Sequence, residues 1–365
     1  MENKPHILHC ITSLKVGGAE TVLVQLVQAL QQDGYTNTVV YFYDGPNRPK
    51  LEQLGIKTVS ISGWVTLYDP IFMFRLWRAI KAISPDIIHS SLWTANFCSR
   101  FIGKLLSIPV VCAIHSSTNL ATQGTKNSSV RTYLDRALVN FARKYVLVSK
   151  SIPLSFIPAS QHVVIQNGIQ AVFIHKNITL EKELGITSDT FIIGTVGRFC
   201  AVKNYSLLLD SVALIQAKHD HVLLLMIGQG ELESELKAQA QRLNLGVKFI
   251  QSNRVQDYLP LFDCFVMTSW QEGLSIALLE AMSAGVPPVI IEPTGVHEVV
   301  EHNQNGLLVP TYTPQAVATT ITTLVDSPTL HTALSISARK TVQATFSLNS
   351  MITKYKRLYQ HVLRS

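Results

Sequence analysis

No apolar run in this chain approaches the roughly 20 residues that a helix needs to cross a bilayer, so nothing in it reads as a membrane span. The first 15 residues also lack the basic start and long apolar centre of a signal peptide. Together these absences predict a cytoplasmic protein. Cysteine is sparse: Cys10, Cys98, Cys112, Cys200 and Cys264 are odd in number, scattered, and mostly inside strand-like runs. That argues against a disulfide framework or a zinc site and predicts reduced thiols in the core. There is no Gly-x-Gly-x-x-Gly, no Walker loop and no Asp-x-Asp, so the dinucleotide, P-loop and common metal-binding signatures are missing. Charged residues are few as well, 15% against 47% hydrophobic, which marks a well-cored globular protein without a disordered tail.

Acidic residues are lacking from one half in particular. Residues 1–170 hold 16 Lys and Arg against 8 Asp and Glu, whereas 171–365 hold 15 against 16, so the first half carries all of the net charge of +7. A basic face suits nucleic acid, anionic lipid or a phosphorylated substrate. No nucleic-acid motif accompanies it, which favours lipid or lipid phosphate. Two segments offer such a face. In 64–83, which begins at Trp64, Arg75, Arg78 and Lys81 recur beside Phe72, Phe74, Leu76 and Trp77; in 126–144, Arg131, Arg136, Arg143 and Lys144 sit among Tyr133, Leu134, Leu138 and Phe141. An amphipathic basic helix lies well on an anionic bilayer, but a helix packed on a sheet needs the same one-sided pattern.

What is present is a regular alternation. At this length the chain suits two domains of about 150–180 residues. In the first half, apolar runs at 6–12, 38–43, 57–61, 85–89, 109–114 and 145–148 read as strands between helical patterns at 21–33, 50–54, 71–83, 95–106 and 129–144. The second half continues with strands at 191–197, 222–227, 264–267 and 286–291 and helices at 204–216, 276–284, 314–326, 329–344 and 348–363. Such a rhythm implies α/β architecture with parallel sheets and helices on both faces.

The densest chemistry lies in 269–285. A strand ends at Met267, a glycine-containing loop carries Glu272, Ser275 is placed to cap a helix, and Gly285 to end it. That helix is apolar all round except for Glu280, a carboxylate that needs partners if it is buried. Leu274 and Ser275 stand at the helix N-terminus, where free N–H groups suit a phosphate. Elsewhere, Arg198 and Lys203 bracket a loop that opens the helix at 204, where the dipole makes positive charge unfavourable without an anion. A diphosphate fits such a pair; two surface cations are the plainer reading. Gly17 and Gly18 join the first strand to its helix, either as a close-approach loop for an anion or as a simple tight turn. His115 closes the strand at 109–114, again either at a ligand edge or as a structural residue.

Ser269, Glu272-Gly273, Leu279-Glu280-Ala281-Met282, Gly285 and Pro287 together resemble the signature of the family 4 retaining glycosyltransferases. The resemblance implies the GT-B fold: two Rossmann-like doubly wound domains facing each other across a cleft. They would be 1–170 on the acceptor side and 171–347 for the nucleotide sugar, with the last helix, 348–365, packing back on the first. It implies a retaining, metal-independent transfer from a nucleoside diphosphate sugar, UDP- or GDP-linked, to a hydroxyl acceptor, with no cofactor. In that reading the Gly17-Gly18 loop closes over the distal phosphate and sugar. Arg198, Lys203, Leu274 and Ser275 hold the diphosphate, Glu280 the ribose, and Glu272 the transferred sugar. His115 orients the sugar or acceptor from the other lip. Family roles in bacterial surface polysaccharide or lipid-linked glycan synthesis would put the protein in the cytoplasm, peripheral on the inner face of the plasma membrane. Three departures stand out: Gln251 and Thr294 where relatives carry glycine, and His297 where they carry proline or a small residue. A nucleotide-sugar 2-epimerase and an inactive partner subunit share the architecture.

Overall fold

The computed structural model describes residues 4–63, 69–115, 128–152, 157–171, 177–252, 254–291 and 297–364, with the backbone alone for 128–132. It divides into two units, Met1–Gly168 with Leu348–Ser365, and Ile169–Ser347, a division that falls beside the Asn167-Gly168 pair. Trp64, Lys126, Thr294 and the side chain of Arg131 lie outside what is described.

In the first unit the elements follow as β1 (His6–Ser13), α1 (Gly18–Gln32), β2 (Thr36–Tyr43), α2 (Asn47–Gln53), β3 (Lys57–Ser60), α3 (Pro70–Ile83), β4 (Ile87–Ser91), α4 (Trp93–Leu106), β5 (Val110–Ile114), α5 (Ser128–Ala137), β6 (Lys144–Leu147) and β7 (His162–Val164). The sheet is parallel with order β3-β2-β1-β4-β5-β6-β7, so the chain reverses direction across the sheet between β1 and β4. Alternation along β1 sends Leu8 and Cys10 to a core shared with Phe72 and Leu76 of α3 and Ile102 of α4. Ile11 faces the opposite core, with Leu23 and Val27 of α1 and Leu51 of α2. The cysteines are free and buried.

Helix ends follow local chemistry. Asp69 caps α3 by accepting from the N–H groups of Ile71 and Phe72, with Pro70 in the first turn, and Ser84 ends it at φ 49°. The helix expected to run to Lys144 stops at Ala137. Val139–Phe141 forms a 3-10 turn whose Val139 carbonyl accepts from Tyr145, and Arg143 N–H has already joined the sheet through Val110. Val139 and Asn140 are weak helix formers, so the sheet wins. Asp135 is buried against Arg100 and also accepts from Trp93 Nε1 at 2.6 Å, which ties α5 to α4.

The last helix, α12 (Leu348–Arg364), belongs to this unit and packs against α1. Tyr355 and Tyr359 are buried on it, and Tyr359 Oη lies 2.6 Å from His89 Nδ1. His89 pairs with His9 across β4 and β1, so the two imidazoles share that face of the sheet.

The second unit runs α6 (Ile178–Glu183), β8 (Phe191–Val196), α7 (Tyr205–Gln216), β9 (Val222–Ile227), α8 (Glu233–Arg242), β10 (Val247–Ile250), β11 (Cys264–Met267), α9 (Ile276–Ser283), β12 (Pro288–Ile291), β13 (Leu307–Val309), α10 (Pro314–Val325) and α11 (Pro328–Thr345). Its parallel sheet has the order β10-β9-β8-β11-β12-β13, reversing between β8 and β11. Among the described residues no helix is long and apolar enough to cross a membrane.

Burial holds His9 at a pKa of about 4 and His89 well below the ordinary imidazole value. Both stay neutral at pH 7, and the sign follows: the unfolded chain takes up protons first as pH falls. The stability of the first unit is therefore expected to drop between pH 6.5 and 4. His9 alone would contribute up to about 3 kcal/mol. Urea melts of wild type and His9→Gln at pH 7 and pH 5 check this; the variant should lose less on acidification.

Candidate active site

Open α/β sheets take ligands at the carboxyl ends of their strands, where the strand order reverses. In the second unit that point is flanked by the loop after β8, with Gly197, Arg198 and Lys203, and the loop after β11, with Glu272. The two loops are joined. Thr268 Oγ1 donates to the carbonyls of Lys203 and Asn204, both at 3.0 Å, and Trp270 N–H donates to Val202 O at 2.9 Å. On the other flank Gly197 N–H reaches Ile227 O, Phe199 N–H reaches Gln229 O, and Leu232 N–H returns to Phe199 O. The glycines are required for this closeness. A Cβ on Gly228 would lie 1.9 Å from Gly197 O, and one on Gly230 would lie 2.3 Å from Phe199 O.

This clamp brings Lys203 Nζ to 2.5 Å from Glu272 Oε1, with both side chains largely shielded. The two residues, 69 apart in sequence, are thus one unit of the site. The cation that needed an anion has a carboxylate. Arg198 is exposed on the same loop. Asn204, at φ 52°, turns the chain from the Lys203 loop into α7.

Helix α9 begins where the loop after β11 ends. Ser275 caps it, its Oγ accepting from Leu278 N–H at 3.4 Å. Helix geometry leaves the N–H groups of Ile276 and Ala277 without carbonyl partners in the helix, as at any helix N-terminus. The helix closes with Gly285 at φ 78°, whose N–H meets Met282 O while Val286 N–H meets Ala281 O. Within it Glu280 is half-buried and has no side-chain hydrogen bond or ion pair among the described residues. Burial raises its pKa to about 7. A group so placed is short of donors, and ligand hydroxyls are suitable ones.

In the first unit, taken by itself, the segments after β1 and β5 leave the corresponding carboxyl edge. Gly17 caps α1 one residue before Gly18, and the Glu20 carboxylate lies 2.4 Å from where a Cβ on Gly17 would stand. The α1 N-terminus thus already faces an acid, which an incoming anion must displace or avoid. His115 follows β5, with Nε2 3.4 Å from Ser91 Oγ. Burial lowers its pKa to about 4, so it is a neutral imidazole at pH 7.

Two features have no sequence signal. Leu92 holds φ 72° and ψ 152°, a region that glycine ordinarily occupies, at the carboxyl end of β4 where the order reverses. Trp270 is half exposed and stacks on Tyr312 at 4.2 Å, while Tyr312 Oη donates to the carbonyls of Ser269 and Trp270. Gln251, the departure from the family pattern, contacts Gln229 across the ends of β10 and β9. His297 is exposed.

Two parallel doubly wound units, each with a glycine-bearing loop at its reversal point, define the GT-B class of fold. A model of the group 1 glycosyl transferases matches residues 177–341 and a model of glycosyltransferase family 4 matches residues 16–171, and the chain belongs to this glycosyltransferase family. It is 27% identical to N-acetyl-alpha-D-glucosaminyl L-malate synthase of Bacillus anthracis, over 81% of this chain and 80% of that one. It is 24% identical to UDP-Gal:alpha-D-GlcNAc-diphosphoundecaprenol alpha-1,3-galactosyltransferase of Escherichia coli, over 79% and 78%. The structure of Anabaena HepE in complex with UDP-glucose superposes with a TM-score of 0.84 at 22% identity, covering 98% of this chain and 100% of that one.

The raised pKa of Glu280 has a definite consequence without ligand. Stability is fully present below the ordinary carboxylate value near 4.5 and is lost as pH rises to about 7, where the buried group must ionise. Glu280→Gln is expected to stabilise the second unit by about 1–3 kcal/mol at pH 8 and little at pH 4.5. Thermal unfolding across that range checks it.

Proposed function

We propose that this glycosyltransferase is retaining and metal-independent. It moves a sugar from a UDP- or GDP-sugar to a hydroxyl of a glycan or lipid-linked acceptor, in bacterial surface polysaccharide synthesis. The observation that carries the reading is the Lys203–Glu272 contact beside the capped N-terminus of α9. Transfer breaks the bond between the anomeric carbon and the diphosphate oxygen and makes one to the acceptor oxygen, whose proton is lost. Negative charge therefore grows on the diphosphate. Lys203, Arg198 and the first-turn amides after Leu274 and Ser275 offset it, in the role a divalent cation has elsewhere.

Diphosphate binding gives Lys203 a second anion and frees Glu272 to accept from hydroxyls of the transferred sugar. Glu280, in need of donors, accepts from the ribose. His115, neutral at pH 7, orients sugar or acceptor as a hydrogen-bonding group and not as a cation. The Gly17-Gly18 loop closes over the sugar end of the donor, and no cofactor beyond the donor substrate is involved. The names of the relatives support the donor and acceptor classes: UDP-glucose is bound by HepE, and UDP-Gal and a lipid diphosphate are named for the Escherichia coli enzyme. Work on such an acceptor places the protein in the cytoplasm, at the inner face of the plasma membrane.

With donor and extracted lipid acceptor, nucleoside diphosphate is expected to appear only when acceptor is present, with the anomeric configuration kept and EDTA without effect. Lys203→Ala and Glu272→Ala are each expected to lower kcat/KM by about 100-fold or more. Each variant leaves one shielded charge without its partner, so some loss of Tm is expected, and folding at the assay temperature is checked beside the rates. Donor isomerisation without acceptor would identify an epimerase, and no turnover with any donor an inactive partner. Inversion, or arrest by EDTA, would overturn the mechanism.

A further inference from the structure

Much of the charge surplus of the first unit lies in one layer of helices, and a further part lies on α12, which carries Lys354, Lys356, Arg357 and Arg364 without an acid. Between Pro70 and Lys144 there are ten Lys and Arg and two acids, Asp86 and Asp135. Both acids are engaged: Asp135 with Arg100, and Asp86 with the backbone N–H of His6. Arg75, Arg78 and Lys81 on α3, Lys104 on α4, Arg136 on α5 and Arg143 just beyond it are exposed. The three helices cover the same side of the sheet, since residues of all three pack into one core with Leu8, Cys10 and Ile88.

Large apolar side chains stand in water on these same helices: Ile71 (71% exposed) and Phe74 on α3, Phe101 and Leu105 (60%) on α4, and Tyr133 (72%) on α5. They share stripes with the cations. Ile71, Phe74, Arg78 and Lys81 follow at spacings of three or four, Lys104 and Leu105 lie three and four residues after Phe101, and Arg136 lies three after Tyr133. Phe74 stacks on Trp77 at 5.7 Å, and Lys81 Nζ lies 5.0 Å over the same indole. At the amino ends of β4 to β6, Lys104, Arg143, Lys144 and His361 line a common groove.

We propose that the α3–α4–α5 layer is a docking face for an anionic lipid bilayer, with Ile71, Phe74, Phe101 and Leu105 entering the headgroup boundary and the flanking cations meeting lipid phosphates. The peripheral contact in the proposed function thereby gains a definite surface, separate from the candidate site in the second unit. Charge complementarity selects the occupant. Nucleic acid satisfies the cations alone and leaves Ile71, Phe74 and Leu105 in water. A bilayer satisfies both, because cations gain from anionic headgroups and apolar tips gain from the acyl boundary.

The full chain is sedimented with vesicles of phosphatidylcholine alone and of phosphatidylcholine mixed with phosphatidylglycerol. Binding is expected with the anionic vesicles only and should weaken with salt. Arg75→Ala/Arg78→Ala/Lys81→Ala is expected to weaken it on the order of a hundredfold. Phe74→Ser/Leu105→Ser, with every charge kept, should weaken it about tenfold or more. All five positions are exposed, so Tm and nucleoside diphosphate release with a water-soluble acceptor should stay at wild-type values. Equal binding by wild type and both variants, equal binding to neutral vesicles, or retention on duplex DNA with none on vesicles would each overturn the proposal. None of these outcomes bears on whether the chain transfers sugar.

Discussion

The arrangement at the second unit's reversal point depends on one set of hydrogen bonds, those that clamp the loop after β8 between its neighbours. Carbonyls of Val202, Lys203 and Asn204 are held by Trp270 and Thr268 from one side, and Gly197 and Phe199 are held by the ends of β9 from the other. Each backbone group so used has its partner, which holds the loop against the sheet edge. Lys203 is then delivered to Glu272 by backbone geometry and needs no search of its own. Glycine at 228 and 230 is the covalent condition for it, because any side chain there would collide with main chain.

On this frame the protein keeps ionisable groups in contrasting states. Lys203 and Glu272 are both shielded and stabilise each other's charge at 2.5 Å. Glu280, on the adjoining helix, is shielded without such a partner and holds its proton to about pH 7. In the first unit His9, His89 and His115 are shielded and neutral. Desolvation acts on all of them; what differs is whether a neighbour compensates it. Paired groups suit the binding of charge, and the unpaired carboxyl suits hydroxyl donors. The first unit shows the complementary distribution: among the described residues Arg100 is its buried cation, and a group of exposed cations lies on α3, α4 and α5.

Much of the architecture was legible in the sequence because parallel strands buried on both faces read as apolar runs, and because turns and caps use few residue types. The strand at Cys264–Met267, the Ser275 cap and the Gly285 terminator stand where the spacing put them. The end of α5 did not. Its amphipathic pattern continues past Ala137, but the pairing of Lys144 with Val111 in the sheet overrides weak helix propensity, a competition that local spacing does not record. Nor does local spacing record that Lys203 meets a carboxylate of the protein's own, on a loop 69 residues away.

By itself the sequence determined much of what depends on nearest neighbours: most of the strands and helices, though not all their boundaries and not such elements as α6, α8, β7 or β13, that the class is α/β, and that the first half is basic. Tertiary structure alone decided what depends on distant segments meeting. It closed Lys203 on Glu272, stacked Trp270 on Tyr312, and gathered cations and exposed apolar residues of three helices into one layer. It also imposed the strained Leu92. The physical reason is that a side chain's charge state and partner are set by burial and by contacts across the fold, and neither burial nor long-range contact is a property of a residue's place in the chain.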